Sequence, residues 1–333
     1  MTTIKDVAAL AGVSIKTVSR VINRDARVRP KSRMTVEDAI AQLDYRPNVA
    51  ARQLRAGRSF LIGLMVPRAG VGFMPRLIVA LSWAFREHGY QLVTEAVDQG
   101  TRLQAFAQMP LAPDIIVTAP RFSNDLEVLG RFEALGIPVV RIAGEENGYG
   151  RAINASDQVI ARQMVEHLLA QGHRRIGYIG MPLENPMARQ RLNGYRQAML
   201  EAGFEPDATW VATRSYSSRD GAEALAAMLA ERSRPTAVFA GSDTLAVGVQ
   251  AMAQKLGYRV PDHLAVAGFE DTPVARAVYP PLTSVNYAVE DFARAIVQVA
   301  ILGEEPDMAF RHNLIIRGST SDDRDLGPNL YDE

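Results

Sequence analysis

The feature that most constrains this chain lies beyond Ser59, where short apolar runs alternate with amphipathic helical stretches. Segments 60–66, 91–94, 114–117, 137–140, 175–179, 237–240 and 264–267 read as buried strands. Helical patterns near 74–88, 157–171, 189–202, 219–230, 243–256 and 288–302 lie between them. Continuous apolar strands separated by helices predict parallel sheets covered on both faces. In such sheets, ligands bind outside the C-terminal ends of the strands, where the strand order reverses.

The first 58 residues have a different texture. They carry twelve Lys/Arg against five Asp/Glu, whereas the rest carries 25 against 32, so the net charge of zero hides a basic head on an acidic body. Such asymmetry fits a head that meets phosphates, although a merely solvated basic face would look the same. Residues 4–11 predict a short helix that Gly12 stops, since glycine accepts the left-handed backbone of a tight turn. Ser14 suits the N-cap of a second helix running to about Asn23, with Val18, Val21 and Ile22 turned inward. A third helix starts near Pro30 and buries Val36, Ile40 and Leu43. The arrangement reads as a helix-turn-helix unit, the alternative being a generic three-helix bundle.

The second helix leaves Ile15, Lys16, Ser19 and Arg20 outward. Arg20 can donate two hydrogen bonds to guanine, Lys16 can do so more loosely, and Ile15 can touch a thymine methyl. Ser14, Thr17, Ser19 and Asn23 are candidates for phosphate contacts, which position without specifying sequence. The stretch 48–57 has Asn48 to cap it and Gly57 to end it, yet is too short to hold a helix alone in water. It should order against DNA and its own copy in a dimer, with Leu54 as a wedge for a minor-groove base step; Leu54 packed on a neighbour is the plainer alternative.

Several chemistries find no footing. The chain has no cysteine, no run long enough to cross a membrane, and no apolar segment at Met1–Asp6 that would predict export. A soluble cytoplasmic protein is expected. His88, His167, His173, His263 and His312 lack metal-ligand spacing and read as helix-end or surface residues. Gly148-Tyr-Gly150 lacks a dinucleotide fingerprint, and Gly241-Ser-Asp243 is not a nucleophile elbow. No catalytic residue, cofactor or metal is therefore expected. A sugar-binding receptor for transport would share the body but would need an export signal and no reading head. A sugar-processing enzyme would need a catalytic constellation that is not found.

The run Thr3-Ile-Lys-Asp-Val-Ala-Ala-Leu-Ala-Gly-Val-Ser-Ile-Lys-Thr-Val-Ser-Arg-Val-Ile-Asn23 resembles the N-terminal signature of lactose-repressor (LacI/GalR) family regulators. Tyr45-Arg-Pro-Asn48 leading into Ala51, Leu54 and Gly57 is similar to that family's hinge helix. Ala188-Arg-Gln-Arg-Leu-Asn-Gly-Tyr195, Val266-Ala-Gly-Phe-Glu-Asp271 and Arg317-Gly-Ser-Thr320 resemble its effector module, which is like periplasmic sugar-binding proteins. The resemblance implies an all-α helix-turn-helix head (1–47), a hinge (48–58), and an α/β body of two parallel-sheet lobes (59–320). The first lobe would span 59–157 and 289–320, the second 158–288, with crossings near 157–160 and 285–289. Residues 321–333 are expected as a flexible tail without a coiled coil. On the DNA side it puts Ile15, Lys16 and Arg20 on base-reading positions and Asn48, Ala51 and Leu54 in the minor groove. Phe73, Arg191, Tyr216, Asp243, Glu270 and Tyr287 would line the effector cleft. Glu270 replaces a usual aspartate, Ser242 a usual asparagine and Tyr287 a glutamine, while Ala143 and Arg68 stand where acids are common. The resemblance further implies a homodimeric repressor on double-stranded operator DNA. Its small-molecule effector would be a sugar, sugar acid or sugar phosphate.

Overall fold

The computed structural model describes residues 2–22, 25, 27–45, 53, 57–68, 72–145, 147–305, 310 and 312–321. The chain forms two compact units, Met1–Ser59 and Phe60–Glu333. In the first, α1 (Ile4–Leu10), α2 (Ile15–Ile22) and α3 (Pro30–Gln42) pack around Val7, Ala8, Ala11, Val18, Val21, Val36 and Ala39. Fully burying a valine such as Val18 contributes about 1.5–3 kcal/mol before chain entropy is counted. Asp6 accepts a hydrogen bond from the Thr3 backbone at 2.7 Å at the start of α1. The turn after α1 passes through Gly12 at φ +61°, the left-handed backbone expected there. Ser14 Oγ accepts from the Thr17 backbone at 3.2 Å, so α2 is capped as its sequence predicts.

The second unit holds two parallel sheets. The first lobe's sheet contains β1 (Leu61–Pro67), β2 (Gln91–Val97), β3 (Ile115–Thr118), β4 (Val139–Ile142) and β5 (Arg151–Ile153), in the order β2-β1-β3-β4-β5. Its helices are α4 (Met74–Glu87) and α5 (Leu126–Ala134). The chain then enters α6 (Asp157–Ala170), which packs on α7 (Pro186–Glu201) of the second lobe. That lobe's sheet contains β6 (Ile176–Gly180), β7 (Val211–Thr213), β8 (Ala237–Ala240) and β9 (Ala265–Ala267), in the order β7-β6-β8-β9. The helices α8 (Ser218–Ala230), α9 (Asp243–Lys255) and α10 (Pro273–Ala277) complete it. Every pair within these two sheets is parallel, and the order reverses at β1 and again at β6.

An antiparallel ribbon, β10 (Ser284–Asn286) with β11 (Asn313–Ile315), lies beside the second sheet; between its strands α11 (Val289–Val297) packs on α4. The chain thus crosses at 154–156 and 287–288 and returns before β11. The first crossing falls slightly ahead of the expected 157–160. The closing stretch also differs from expectation: residues 317–320 join the second lobe. Ser319 Oγ donates to Val266 O at 2.5 Å, and Thr320 Oγ1 meets Thr283 Oγ1 at 2.7 Å. Ser319, through its hydroxyl and its carbonyl, which accepts from Val266 N at 2.9 Å, satisfies the edge of β9, which the apolar pattern alone does not reveal.

The segment 99–113 holds a single short 3₁₀ turn, Arg102–Gln104, and packs Ala105 and Phe106 into a core with Met65, Val97 and Phe122. Helix α5, absent from the sequence expectation, buries Val128, Leu129 and Phe132 and is capped by Asp125, whose side chain accepts from Val128 N.

Candidate functional site

On the head, Val18 and Val21 face the core while Ile15, Lys16 and Arg20 are exposed and Ser19 is half-buried. Arg20 approaches Asp25 at 3.8 Å on the surface, and Arg27 binds the same carboxylate at 2.9 Å. The hydrogen bonds from Arg27 hold Asp25 down to about 2. Ser14 and Thr17 hydroxyls meet at 3.0 Å at the N-terminus of α2. One exposed edge of α2 therefore presents an apolar tip, a lysine and an arginine, beside hydroxyls at a helix N-terminus that suit phosphate. Asn23, Asn48, Ala51 and Leu54 lie outside the described residues.

Within the body a cleft with about 590 Å³ of empty space, its open mouth included, lies between the two lobes. The first lobe supplies Pro67 from the end of β1, Phe73 and Met74 at the start of α4, and Pro120 and Arg121 from the turn after β3. The second supplies Met181 and Asn185 after β6, Arg191 on α7, Tyr216 after β7, Ser242 and Thr244 at the start of α9, and Glu270 after β9. Every contributor except Arg191 lies at a strand's C-terminal end or a helix start, the position the doubly wound topology prescribes.

Arg191 is fully buried at the back of this cleft. Its Nε donates to Asp157 Oδ2 at 2.7 Å, and its Nη1 donates to Gly241 O at 2.6 Å and Glu270 Oε1 at 3.2 Å. The guanidinium lies 3.9 Å from the Phe269 ring centroid. Burial alone would loosen its proton, but the Asp157 and Glu270 carboxylates outweigh burial and hold it more firmly than usual. Burial pushes the Glu270 carboxyl up to about 7, with Arg191 opposing. Each member of this pair keeps one buried atom without a partner among the described residues: Arg191 Nη2, a donor, and Glu270 Oε2, an acceptor. Buried polar atoms left unpaired in a cleft are the signature of a site completed by a ligand.

Of the six expected cleft residues, Phe73, Arg191, Tyr216 and Glu270 line the cleft, whereas Asp243 and Tyr287 stand behind its wall. Asp243 opens α9 with its carboxylate already taken by Thr272 N at 2.7 Å, Thr272 Oγ1 at 2.9 Å and Ser284 Oγ at 2.6 Å. Burial still raises it to about 6. Tyr287 is shielded by Phe73, ring centroids 4.8 Å apart, and donates to Asp157 Oδ1 at 3.2 Å. Both brace the wall. Arg68 pairs with Asp98 on the surface and does not enter the cleft.

Three histidines are half-buried and bonded: His167 Nε2 meets Thr320 Oγ1 at 2.9 Å, His173 Nδ1 meets Thr236 Oγ1 at 3.0 Å, and His312 lies where the lobes join. His312 Nε2 lies 2.6 Å from Ala155 O, its Nδ1 accepts from Ala288 N at 3.4 Å, and its ring stacks on Tyr287. It therefore ties all three passes between the lobes, and burial lowers its pKa.

A helix-turn-helix head on a two-lobed α/β body with a polar cleft defines a ligand-responsive DNA-binding regulator. Residues 3–48 match the model for bacterial regulatory proteins of the lacI family, and residues 165–320 match a periplasmic binding protein-like domain. The HTH-type transcriptional repressor PurR of Mannheimia succiniciproducens is 32% identical over 86% of this chain and 87% of its own length. The ribose operon repressor of Escherichia coli K12 is 31% identical over 90% and 92%. The lac repressor dimer bound to operator and the anti-inducer ONPF has a TM-score of 0.75 at 27% identity, covering 96% of this chain and 99% of the other. A transcriptional regulator CelR–cellobiose complex gives 0.72 at 28% identity, covering 96% and 100%. The chain belongs to the LacI family of transcription regulators. Among the described residues no helix is long and apolar enough to cross a membrane.

Proposed function

We propose that this protein is a homodimeric repressor of carbohydrate-catabolism genes, acting in the cytoplasm on double-stranded operator DNA. A sugar or sugar derivative bound between the lobes sets its operator affinity. The head (1–47) reads a half-site through Ile15, Lys16 and Arg20, with Ser14, Thr17, Ser19 and Asn23 on phosphates. The hinge (48–58) enters the minor groove through Asn48, Ala51 and Leu54. Two-fold symmetry supplies the second half-site. The body (59–320) is the sensor, and the relatives' roles as transcription regulators speak against an enzyme.

The observation that carries the sensor role is the unpaired donor–acceptor couple of Arg191 Nη2 and Glu270 Oε2 in a cleft walled by Phe73 and Tyr216. A vicinal diol supplies one acceptor and one donor to such a couple, and its C–H face packs on aromatic rings. Ligand that favours one lobe angle shifts the body between states and, through the hinge, alters the head's grip. The test is operator binding by fluorescence anisotropy with and without sugars that raise the melting temperature. A sugar-dependent change of operator affinity, lost in Arg191→Ala, is the expected result. Sugar binding with no effect on any DNA would favour a receptor without DNA function.

A further inference from the structure

Three charged side chains line the cleft, and they are not equivalent. Arg191 and Glu270 face each other at 3.2 Å, with Asp157 on the far side of the guanidinium, so the inner end carries no net positive charge. Arg121 lines the same cleft from the other lobe and makes no hydrogen bond or ion pair with any described residue. It is half-buried.

The turn that carries Arg121 is held firmly. Phe122 N donates to Ala119 O at 2.9 Å, Ser123 Oγ donates to Ala119 O at 3.1 Å and meets Thr118 Oγ1 at 3.0 Å. Behind it the buried Arg141 donates from Nη1 to Ser123 O at 3.2 Å and from Nη2 to Gly148 O at 3.3 Å. The backbone under Arg121 is therefore fixed by a buried guanidinium spent on carbonyls, while Arg121 itself is left without a counter-charge. Opposite it, α9 begins with Ser242 and Thr244 in the cleft wall, and α7 begins just after the wall residue Asn185. Helix α7 packs near the turn that carries Arg121, and the dipole at its start adds positive potential there.

We propose that the effector is an anionic sugar, its hydroxyls on Arg191 and Glu270 and its carboxylate or phosphate on Arg121. Arg121 is then the residue that sets specificity for the charged substituent. This rests on the sugar-sensor reading above and narrows it. A neutral sugar would leave Arg121 unmatched inside a partly dehydrated cleft. An acid turned the other way would face the Glu270 and Asp157 carboxylates. Orientation and selectivity come from the same asymmetry.

Calorimetric titration of the full-length protein tests this with matched pairs: D-glucose against D-glucuronate, D-gluconate and D-glucose 6-phosphate, and D-galactose against D-galacturonate. At least one acid should bind about tenfold or more tightly than its neutral parent, the preference shrinking with added salt. Carboxylate and phosphate members identify which acid is meant. Arg121→Gln should bring that acid to within about twofold of its parent, chiefly by weakening the acid, and Arg121→Lys should retain most of the preference. Equal binding of acid and parent in the unaltered protein overturns the proposal and leaves the sugar sensor standing. So does a preference that survives Arg121→Gln. Binding of none of these sugars overturns the sugar sensor with it.

Discussion

Arg191 Nε donates to Asp157 Oδ2 at 2.7 Å, and neither side chain reaches solvent. Asp157 is the first residue of α6, directly after the chain first leaves the first lobe. Its other oxygen accepts from Tyr287, which sits on the second crossing and stacks on His312 of the third. The arginine facing the cleft is thus bonded to the segments that join the two lobes. On the proposed sensor role, a ligand that draws on Arg191 would pull at those segments directly and bias the lobe angle without a long relay.

Asp157→Asn keeps the shape of this contact and removes its charge. Loss of one partner from a buried pair leaves an uncompensated charge and costs about 3 kcal/mol. The variant should unfold at lower urea concentration and should lose effector response more than operator affinity, read by anisotropy on the folded protein. Unchanged stability would mean that Glu270 alone suffices as counter-ion.

Much of this was legible in the chain, for physical reasons. The strands of both lobes are buried on two faces, so β1, β3, β6 and β8 are continuous apolar runs that stand out from any background. The reading helix was legible because Val18 and Val21 leave Lys16 and Arg20 no inward direction. Asp243 and Tyr287 were harder: they occupy ligand-facing positions by sequence, but the Thr272 and Ser284 hydroxyls and the Phe73 ring had already claimed them. Those partners are distant in sequence and invisible to local pattern. Asp157, Asn185 and Arg121 belong to no motif in the sequence. Arg121 and Asn185 each follow a strand by a few residues, a signal that strand ends alone could have supplied. Helix α5 was also findable, since Asp125 caps it and Val128, Leu129 and Phe132 share one face.

Glu270 gives the body a pH signature. Burial raises its carboxyl from 4.5 to about 7 in the folded protein, so the fold holds this proton more tightly than the unfolded chain. Its contribution is complete below about pH 4.5 and is lost as pH rises through about 7. Glu270→Gln, uncharged at every pH, should therefore gain stability relative to the native chain across that window. Urea midpoints measured at intervals of pH would check it; parallel curves for the two proteins would exclude Glu270 as the source.

Between the lobes, Arg189 on α7 pairs with Glu145 beyond β4, and Glu145 N donates to Asn124 Oδ1 at 2.8 Å. The pair joins the lobes, yet both side chains reach solvent, which limits it to about 0–1 kcal/mol. Glu145→Gln should weaken effector binding by no more than about fivefold, chiefly through faster release, and the effect should fade at high salt. Stopped-flow release in low and high salt distinguishes this latch from a direct ligand contact, which would be far less sensitive to salt.

The head makes a separable prediction. Arg20 is exposed, and its contact with Asp25 at 3.8 Å is too long and too wet to hold it back from DNA. Arg20→Ala should cost about 1–3 kcal/mol on the preferred operator and flatten discrimination at one base pair in each half-site. Ser14→Ala removes a hydroxyl from the start of α2 and should weaken all sequences alike, leaving the ranking of operator variants unchanged. Binding measured across a set of single-base operator variants separates the two outcomes. If Arg20→Ala lowers affinity uniformly and keeps the ranking, then Arg20 serves the phosphates and base readout passes to Ile15 and Lys16. Thermal melting of the body should be untouched by either change, because the head has its own core around Val7, Val18 and Val36.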